Sequence, residues 1–244
     1  MEEWYSRTEL CLGPAALEKL RGANVLVAGL GGVGSYAAEM ICRAGVGKMT
    51  IVDGDTIHPS NRNRQLLALK STEGLPKALL MEKRLKDINP GIEITAINEY
   101  IRDDRMIEIL SEQFDYVVDA IDTLSPKVWL IFHSLKRNLK IVSSMGAGGR
   151  FDPLQIRVAD ISESYGCSLA RILRKKLHRL GVKEGFRVVW SPEDVDKTRV
   201  KETSGERNKA SVVGTISYMP AAFGLICASV VIRDLAGINT GQEQ

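Results

Sequence analysis

Asp53, Arg62, Arg64, Lys77 and Asp122 follow, at set intervals, a glycine loop that runs Gly29-Leu30-Gly31-Gly32-Val33-Gly34. Gly29, Gly31 and Gly34 hold a Gly-x-Gly-x-x-Gly spacing directly after the apolar run Val25-Leu26-Val27-Ala28. Strand, tight turn and helix start in that order bring phosphate to a helix N-terminus. Asp53 ends the next apolar run, where an acid accepts hydrogen bonds from ribose hydroxyls. Those two features suit adenosine phosphates and nicotinamide dinucleotides alike. The cations make the choice. Arg62, Arg64 and Lys77 offer charge-assisted donors to phosphate oxygens, and a guanidinium can engage two at once. A triphosphate needs several such donors; a pyrophosphate already cradled by backbone amides needs fewer. Asp122 follows the fourth strand at its carboxyl end, where ligands collect in open α/β sheets, and a carboxylate there can hold Mg²⁺ against phosphates. Gly32, Asp55, Asn61, Asn63 and Thr123 complete the candidate nucleotide contacts. A nucleoside triphosphate with Mg²⁺ is therefore the expected ligand pair. Nucleotidyl transfer is the expected chemistry, with Arg64, Lys77 and Asp122 at its centre.

Positioning these residues requires a particular scaffold. Periodicity and breakers predict strands at 24–28, 48–52, 93–97, 116–120 and 140–144, and helices at 33–44, 76–88, 105–110 and 126–136. Pro76 and Pro126 suit first-turn helix positions. This alternation means an α/β fold, a doubly wound Rossmann-like sheet that is mainly parallel, covered on both faces. After Gly146-Ala147-Gly148-Gly149 the rhythm changes. Segments 155–159 and 186–190 read as strands of a second, antiparallel group, separated by a basic helix from Ser168 to Leu180. Residues 191–209 are polar and charged and read as a mobile lid or crossover loop. The expected organisation is a single domain over 1–244, with a nucleotide-binding core at about 20–150 and a C-terminal extension at about 151–244 of extra strands and helices.

Bulk properties are those of a soluble globular chain: 244 residues, 44% hydrophobic, 26% charged, net charge +3. So mild a charge does not by itself argue for nucleic acid. The acidic start, Met1-Glu2-Glu3, lacks the apolar stretch of a secretory signal. Cys11, Cys42, Cys167 and Cys227 are scattered and form no Cys-x-x-Cys, which excludes the usual zinc knuckle and redox dithiol and fits a reducing, cytoplasmic setting. Cys167 has no identifiable base nearby and reads as a packed residue. Residues 210–232 carry no charge and are long enough to span a bilayer. Their Ser, Gly and Pro content instead fits a buried helix beginning near Pro220, at a core or subunit interface. On the basic helix, Arg171, Arg174, Lys175 and His178 share one face, with Lys176 and Arg179 beside them. Such a stripe attracts a phosphate backbone, although a solvated face has the same composition.

With these residues in place, the chain resembles the superfamily of ubiquitin-activating-type adenylating enzymes, which includes the bacterial adenylyltransferases of molybdopterin and thiamine biosynthesis. The resemblance rests on the glycine loop, Asp53-Gly54-Asp55, Ser60-Asn61-Arg62-Asn63-Arg64-Gln65, Lys77 and Asp119-Ala120-Ile121-Asp122. It implies a homodimer, ATP with Mg²⁺, adenylation of a carboxylate, and an N-terminal arginine, here Arg7, that reaches the partner subunit's ATP. Members that activate sulfur carriers usually hold paired Cys-x-x-Cys ligands, which this chain lacks. The stretch 144–156, Asp119 to Lys127 and the Phe223-Gly224 region instead resemble the tRNA threonylcarbamoyladenosine dehydratase branch. That resemblance implies a tRNA substrate, with the basic helix as its footprint. Activation of a sulfur-carrier or ubiquitin-like protein is the alternative, a sulfur-relay protein is a further candidate partner, and a scaffold that binds nucleotide without catalysis is a third reading. An NAD-dependent oxidoreductase would have no use for the added cations.

Overall fold

A computed structural model describes residues 3–202 and 211–238. Five parallel strands, β1 (Asn24–Ala28), β2 (Lys48–Val52), β3 (Glu93–Ile97), β4 (Tyr116–Asp119) and β5 (Ile141–Ser144), form the centre of one sheet. Two further strands, β6 (Arg157–Asp160) and β7 (Arg187–Trp190), extend it. The order is β3-β2-β1-β4-β5-β7-β6, with β7 parallel to β5 and β6 antiparallel at the edge. The expected second antiparallel group is therefore corrected. Its two strands continue the main sheet, and only β6 reverses direction.

Within β1 the side chains alternate between two cores. Val25 and Val27 join one hydrophobic cluster, Leu26 and Ala28 the other. Both faces are covered, which is why the central strands read as unbroken apolar runs. On one face lie α2 (Pro14–Gly22), α3 (Gly34–Arg43), α4 (Lys77–Ile88) and α8 (Tyr218–Ala236). On the other lie α5 (Asp103–Ile109), α6 (Leu124–Lys136) and α7 (Ser168–Arg179). The remaining helix, α1 (Ser6–Leu12), leans on α2.

Several boundaries depart from the pattern-based reading. Pro76 is the N-cap of α4, with extended backbone, and Pro126 sits two residues inside α6. α1 and α2 were not among the predicted helices, although Ala16, Leu17 and Leu20 of α2 follow Pro14 at helical spacing and are buried. A small hairpin pairs β8 (Val200–Glu202), within the 191–209 segment expected to be a lid, with β9 (Ser211–Val213) beyond it; residues 203–209 of that expectation lie outside the described residues. α8 is apolar and long enough to cross a membrane by length and composition, yet it is a core helix. It packs on α3, α2 and the sheet, burying Met219, Phe223, Cys227, Val230 and Val231. Gly224 permits this closeness, since a Cβ there would lie 2.4 Å from the Val33 carbonyl oxygen.

The sheet order reverses between β1 and β4. A crevice outside the carboxyl ends of the strands forms at such a switch point, and it is there that ligands bind in open α/β sheets.

Candidate nucleotide and transfer site

The glycine loop spans that crevice. Gly29 has a φ of +89°, and a Cβ on it would meet the Ala120 carbonyl oxygen at 2.7 Å. The turn after β1 and the turn after β4 therefore touch, and only glycine fits. Gly34 is tighter still, with 1.7 Å left between a Cβ and the Gly29 carbonyl oxygen. Gly32 lies against Pro220 of α8 and the Arg64 carbonyl oxygen. Gly31 is different. Its Cβ would meet nothing closer than Gln65 Nε2 at 3.8 Å, which leaves its backbone open to close approach by a ligand. Amides at a helix start lack intrahelical acceptors and favour an anion in that space.

Asp53 closes the loop from the β2 side. Its Oδ2 accepts the Leu30 amide at 2.6 Å and its Oδ1 the Asp55 amide at 2.8 Å. Burial pushes its carboxyl above the ordinary aspartate value, a shift opposed by Lys77 and by those two amides. The residue predicted to hold a ribose thus also pins the glycine loop to the end of β2. Each carboxylate oxygen retains a lone pair for a hydroxyl.

Lys77 is the first residue of α4 and is only 4% exposed. It does not lie on a wet helix face. Its Nζ pairs with Asp55 Oδ2 at 2.9 Å, while Tyr100 donates its hydroxyl to Asp55 Oδ1 at 2.6 Å. A buried ammonium on a half-exposed carboxylate is poised to exchange one anion for another. The segment 59–65 holds the other cations. Arg64 donates from Nη1 to the Ser60 carbonyl and to Asn63 Oδ1, both at 2.9 Å. Arg62 is exposed and donates to the Pro59 carbonyl. Asn61 Oδ1 accepts the His58 amide, so its side chain shapes the turn. Asn63 donates to the Thr215 carbonyl, tying this segment to the chain before α8.

After β4 two aspartates three residues apart have opposite surroundings. Asp119 is fully buried. It pairs with Lys127 Nζ at 2.7 Å, accepts the Ser143 hydroxyl at 2.6 Å and accepts the Ile121 amide at 3.1 Å. Lys127 is equally buried and donates to the Ile121 carbonyl at 2.9 Å. The pair fixes the backbone of the turn from which the exposed Asp122 departs, and Thr123 then caps α6. Among the described residues no cluster of three or more His, Cys, Asp or Glu could hold a metal by itself. A single carboxylate completed by phosphate oxygens is the ordinary arrangement for Mg²⁺, so Asp122 fits that role.

Two predicted positions lie elsewhere. Arg7 is exposed on α1, whose packing is against α2. On α7, Arg171, Lys175 and His178 are exposed, as a phosphate-facing stripe requires. Arg174 does not join them. It is half-buried and donates to the Ser164 carbonyl and hydroxyl, holding α7 to the preceding turn. Helical spacing alone could not detect that partner. Cys167 is buried with Cys42 and Cys227, and burial pushes the latter two thiols up to about 12, so neither offers a thiolate.

Two roles escaped the sequence reading. Tyr100 is 45 residues from the Asp55 it holds, and no motif announces it; Lys127 closes the Asp119 to Lys127 stretch noted above, but its pairing with Asp119 is not visible in the sequence. Gln65 was visible as the last residue of the Ser60–Gln65 stretch. Its Oε1 is buried with no hydrogen-bond partner beside the glycine loop, as expected of a side chain whose donor comes from a ligand.

The fold and crevice define a Rossmann-like nucleotide-binding enzyme of the adenylating type. Residues 5–244 match the ThiF family model, and the chain belongs to the ThiF family. It is 38% identical over 238 residues to the tRNA threonylcarbamoyladenosine dehydratase of Bacillus subtilis, covering 95% of this chain and 94% of that one. It is 32% identical over 254 residues to the Escherichia coli enzyme of the same description, covering 96% and 95%. The crystal structure of Escherichia coli tRNA N6-threonylcarbamoyladenosine dehydratase in complex with ATP superposes with a TM-score of 0.87 at 32% identity, covering 96% of this chain and 94% of that one.

Proposed function

We propose that this protein is an ATP-dependent tRNA threonylcarbamoyladenosine dehydratase. One observation carries the reading: the glycine loop, Asp53, the Asp55–Lys77 pair, the Arg64 segment and the Asp122 turn adjoin one another at the switch point of the sheet. Near full-length similarity to dehydratases selects the substrate. In this reading ATP lies along the glycine loop, with its ribose toward Asp53 and its phosphates toward Arg62, Arg64 and Lys77. Asn61, Asn63 and Thr123 shape the walls, and Gln65 meets a donor of the nucleotide. Mg²⁺, held by Asp122 and the phosphates, would neutralise charge on the departing pyrophosphate.

The substrate's threonine carboxylate attacks the α-phosphorus, forming an acyl–phosphate bond as the bond to pyrophosphate breaks. A nitrogen of the same substituent then attacks the activated carbonyl. It loses its proton, AMP leaves with the former carboxylate oxygen, and a five-membered ring closes. Because the nucleophile is part of the substrate, effective molarities of order ~10⁵–10⁸ M are open to this second step. No enzyme thioester is needed, in keeping with the burial of Cys42, Cys167 and Cys227. Lys77 and Arg64 act where charge develops, at the α-phosphate and on pyrophosphate. Lys77 would pass from Asp55 to phosphate as nucleotide binds.

Arg7 serves the site of a second subunit in this reading. Leu10, one turn along α1, is 87% exposed, which fits a helix that packs against another copy. Arg171, Lys175 and His178 contact the RNA backbone. The reaction belongs in the cytoplasm, where ATP and tRNA are found. The test is direct: incubate the protein with ATP, Mg²⁺ and threonylcarbamoylated tRNA, digest to nucleosides and weigh them. Loss of one water from the modified adenosine supports the reading. Pyrophosphate exchange that responds to a small sulfur-carrier protein and not to the tRNA would contradict it.

A further inference from the structure

α6 and α7 lie side by side and leave a cavity of about 200 Å³ between them, lined by Ser125, Val128, Trp129, Lys176, Arg179 and Leu180. The inner face of α6 buries Val128, Leu130, Ile131 and Ser134. Trp129 is left outside at 39% exposure. An indole is among the largest apolar surfaces a side chain can bury, so leaving one in water is a cost unless something covers it. The ring is also held in place. It stacks on His133 one turn further on, centroids 5.7 Å apart and planes 25° from parallel, and meets Phe132 edge-on. Burial, with Arg137 nearby, holds the His133 imidazole below its ordinary pKa. From the facing helix come Lys176 and Arg179, both exposed, and no acid lines the groove.

A flat, pre-ordered aromatic between cations is the chemistry that takes an unpaired base with its phosphates: the base stacks, and the backbone pairs with the charges. An acidic peptide would satisfy the cations but not the indole face. Position agrees as well. Ser125, which lines the groove, follows Asp122 by three residues in the first turn of α6, so the groove runs along the helix that leaves the Asp122 turn.

We infer that the α6–α7 groove seats an unpaired nucleotide of the RNA substrate close to the one that reacts, with Trp129 as its stacking platform and Lys176 and Arg179 on its phosphates. This rests on the reading of the protein as a tRNA-modifying enzyme. The seat places the substrate, and the chemistry remains with Lys77, Arg64 and Asp122.

The test measures binding of a labelled, threonylcarbamoylated anticodon stem-loop to the full chain by fluorescence anisotropy over a range of salt, with ATP affinity measured in parallel. Trp129→Ala weakens RNA binding about 10- to 100-fold, as expected for loss of one stacked base. Trp129→Phe retains most of it. Lys176→Ala with Arg179→Ala weakens binding and lowers the slope of log K against log salt by roughly 0.7–0.9 per cation. All variants bind ATP as the parent does, which shows that they are folded. If Trp129→Ala binds the stem-loop as tightly as the parent while the parent still removes water from the modified tRNA, the seat is wrong and the dehydratase reading stands; a protein-docking groove would give this result. If the parent neither binds nor dehydrates the RNA, both fall together.

Discussion

The two ends of the sheet are both rich in charge, and they use it in opposite ways. At the amino ends a cavity of about 400 Å³ is lined by Tyr116, Lys140, Asp160, Arg187, Arg233 and Asp234 among others. It is larger than the α6–α7 groove, yet Tyr116, Asp160, Arg187 and Asp234 already have partners within the fold. Tyr116 donates to Asp234 at 2.9 Å, Arg187 pairs with the same carboxylate, and Asp160 accepts the amides of Ser162, Gly185 and Phe186. At the carboxyl ends the polar groups are arranged toward an opening. Gly31 has room above it, the Gln65 carbonyl oxygen is buried without a partner, and a buried lysine rests on a half-exposed acid. Cavity size does not distinguish a site from a strut. What distinguishes them is whether the charges are already satisfied by the fold.

Substitutions can break or sharpen this contrast. The largest effect is expected inside the carboxyl end itself, where Asp119 behaves like an amino-end residue. Lys127→Met leaves a fully buried carboxylate without its cation and should cost about 3–5 kcal/mol of stability in denaturant unfolding. A cost near zero would mean that the pair is not the strut of this turn. Next come Lys77→Ala and Asp122→Ala. Each should lower the rate of water loss from the modified nucleoside about 10²–10³-fold; the melting temperature should change little for the exposed Asp122, whereas loss of the buried Lys77 side chain should lower it as well. The amino end should give the reverse pattern. Tyr116→Phe removes one hydrogen bond to Asp234 and should cost about 1 kcal/mol of stability, with kcat and KM for ATP unaltered.

The smallest effect depends on pH. Burial alone would raise the Asp160 carboxyl, but the amide and hydroxyl of Ser162 and the amides of Gly185 and Phe186 hold it below the ordinary aspartate value. A depressed carboxylate contributes stability that is complete above its unfolded pKa and is lost as pH falls through the folded one. Asp160→Asn should therefore be less stable than the parent at neutral pH by at most about 1 kcal/mol. The two should converge under acid, as judged by unfolding midpoints.

How much of this was legible beforehand follows from where each signal resides. β1, β2, β4 and β5 were readable because both faces are largely buried, so each appears as a mainly apolar run bounded by polar turns, whereas β3 at the edge was readable from its alternation. The glycine loop was readable because close approach to Ala120 and Gly29 leaves no room for a side chain. β6 and β7 were seen as strands and placed in the wrong sheet, because pairing is a long-range property and neither strand carries a mark of its neighbour. Arg174 was grouped with the exposed cations for a similar reason: spacing fixes its helix face and is blind to the Ser164 acceptor across the turn. The roles of Lys127 and Tyr100 stayed hidden because their partners are set by the tertiary fold. Gly224, an apparent flaw in a helix, has its reason in the packing of α8 on α3.

The central claim is that a triphosphate occupies the carboxyl end of the sheet, over the glycine loop. A crystal structure of this protein with ATP and Mg²⁺ tests it most directly. Phosphate oxygens should then lie within hydrogen-bond reach of Lys77 Nζ and the Arg64 guanidinium, with the metal on Asp122. Nucleotide bound in the amino-end cavity, or phosphates remote from both cations, would contradict it.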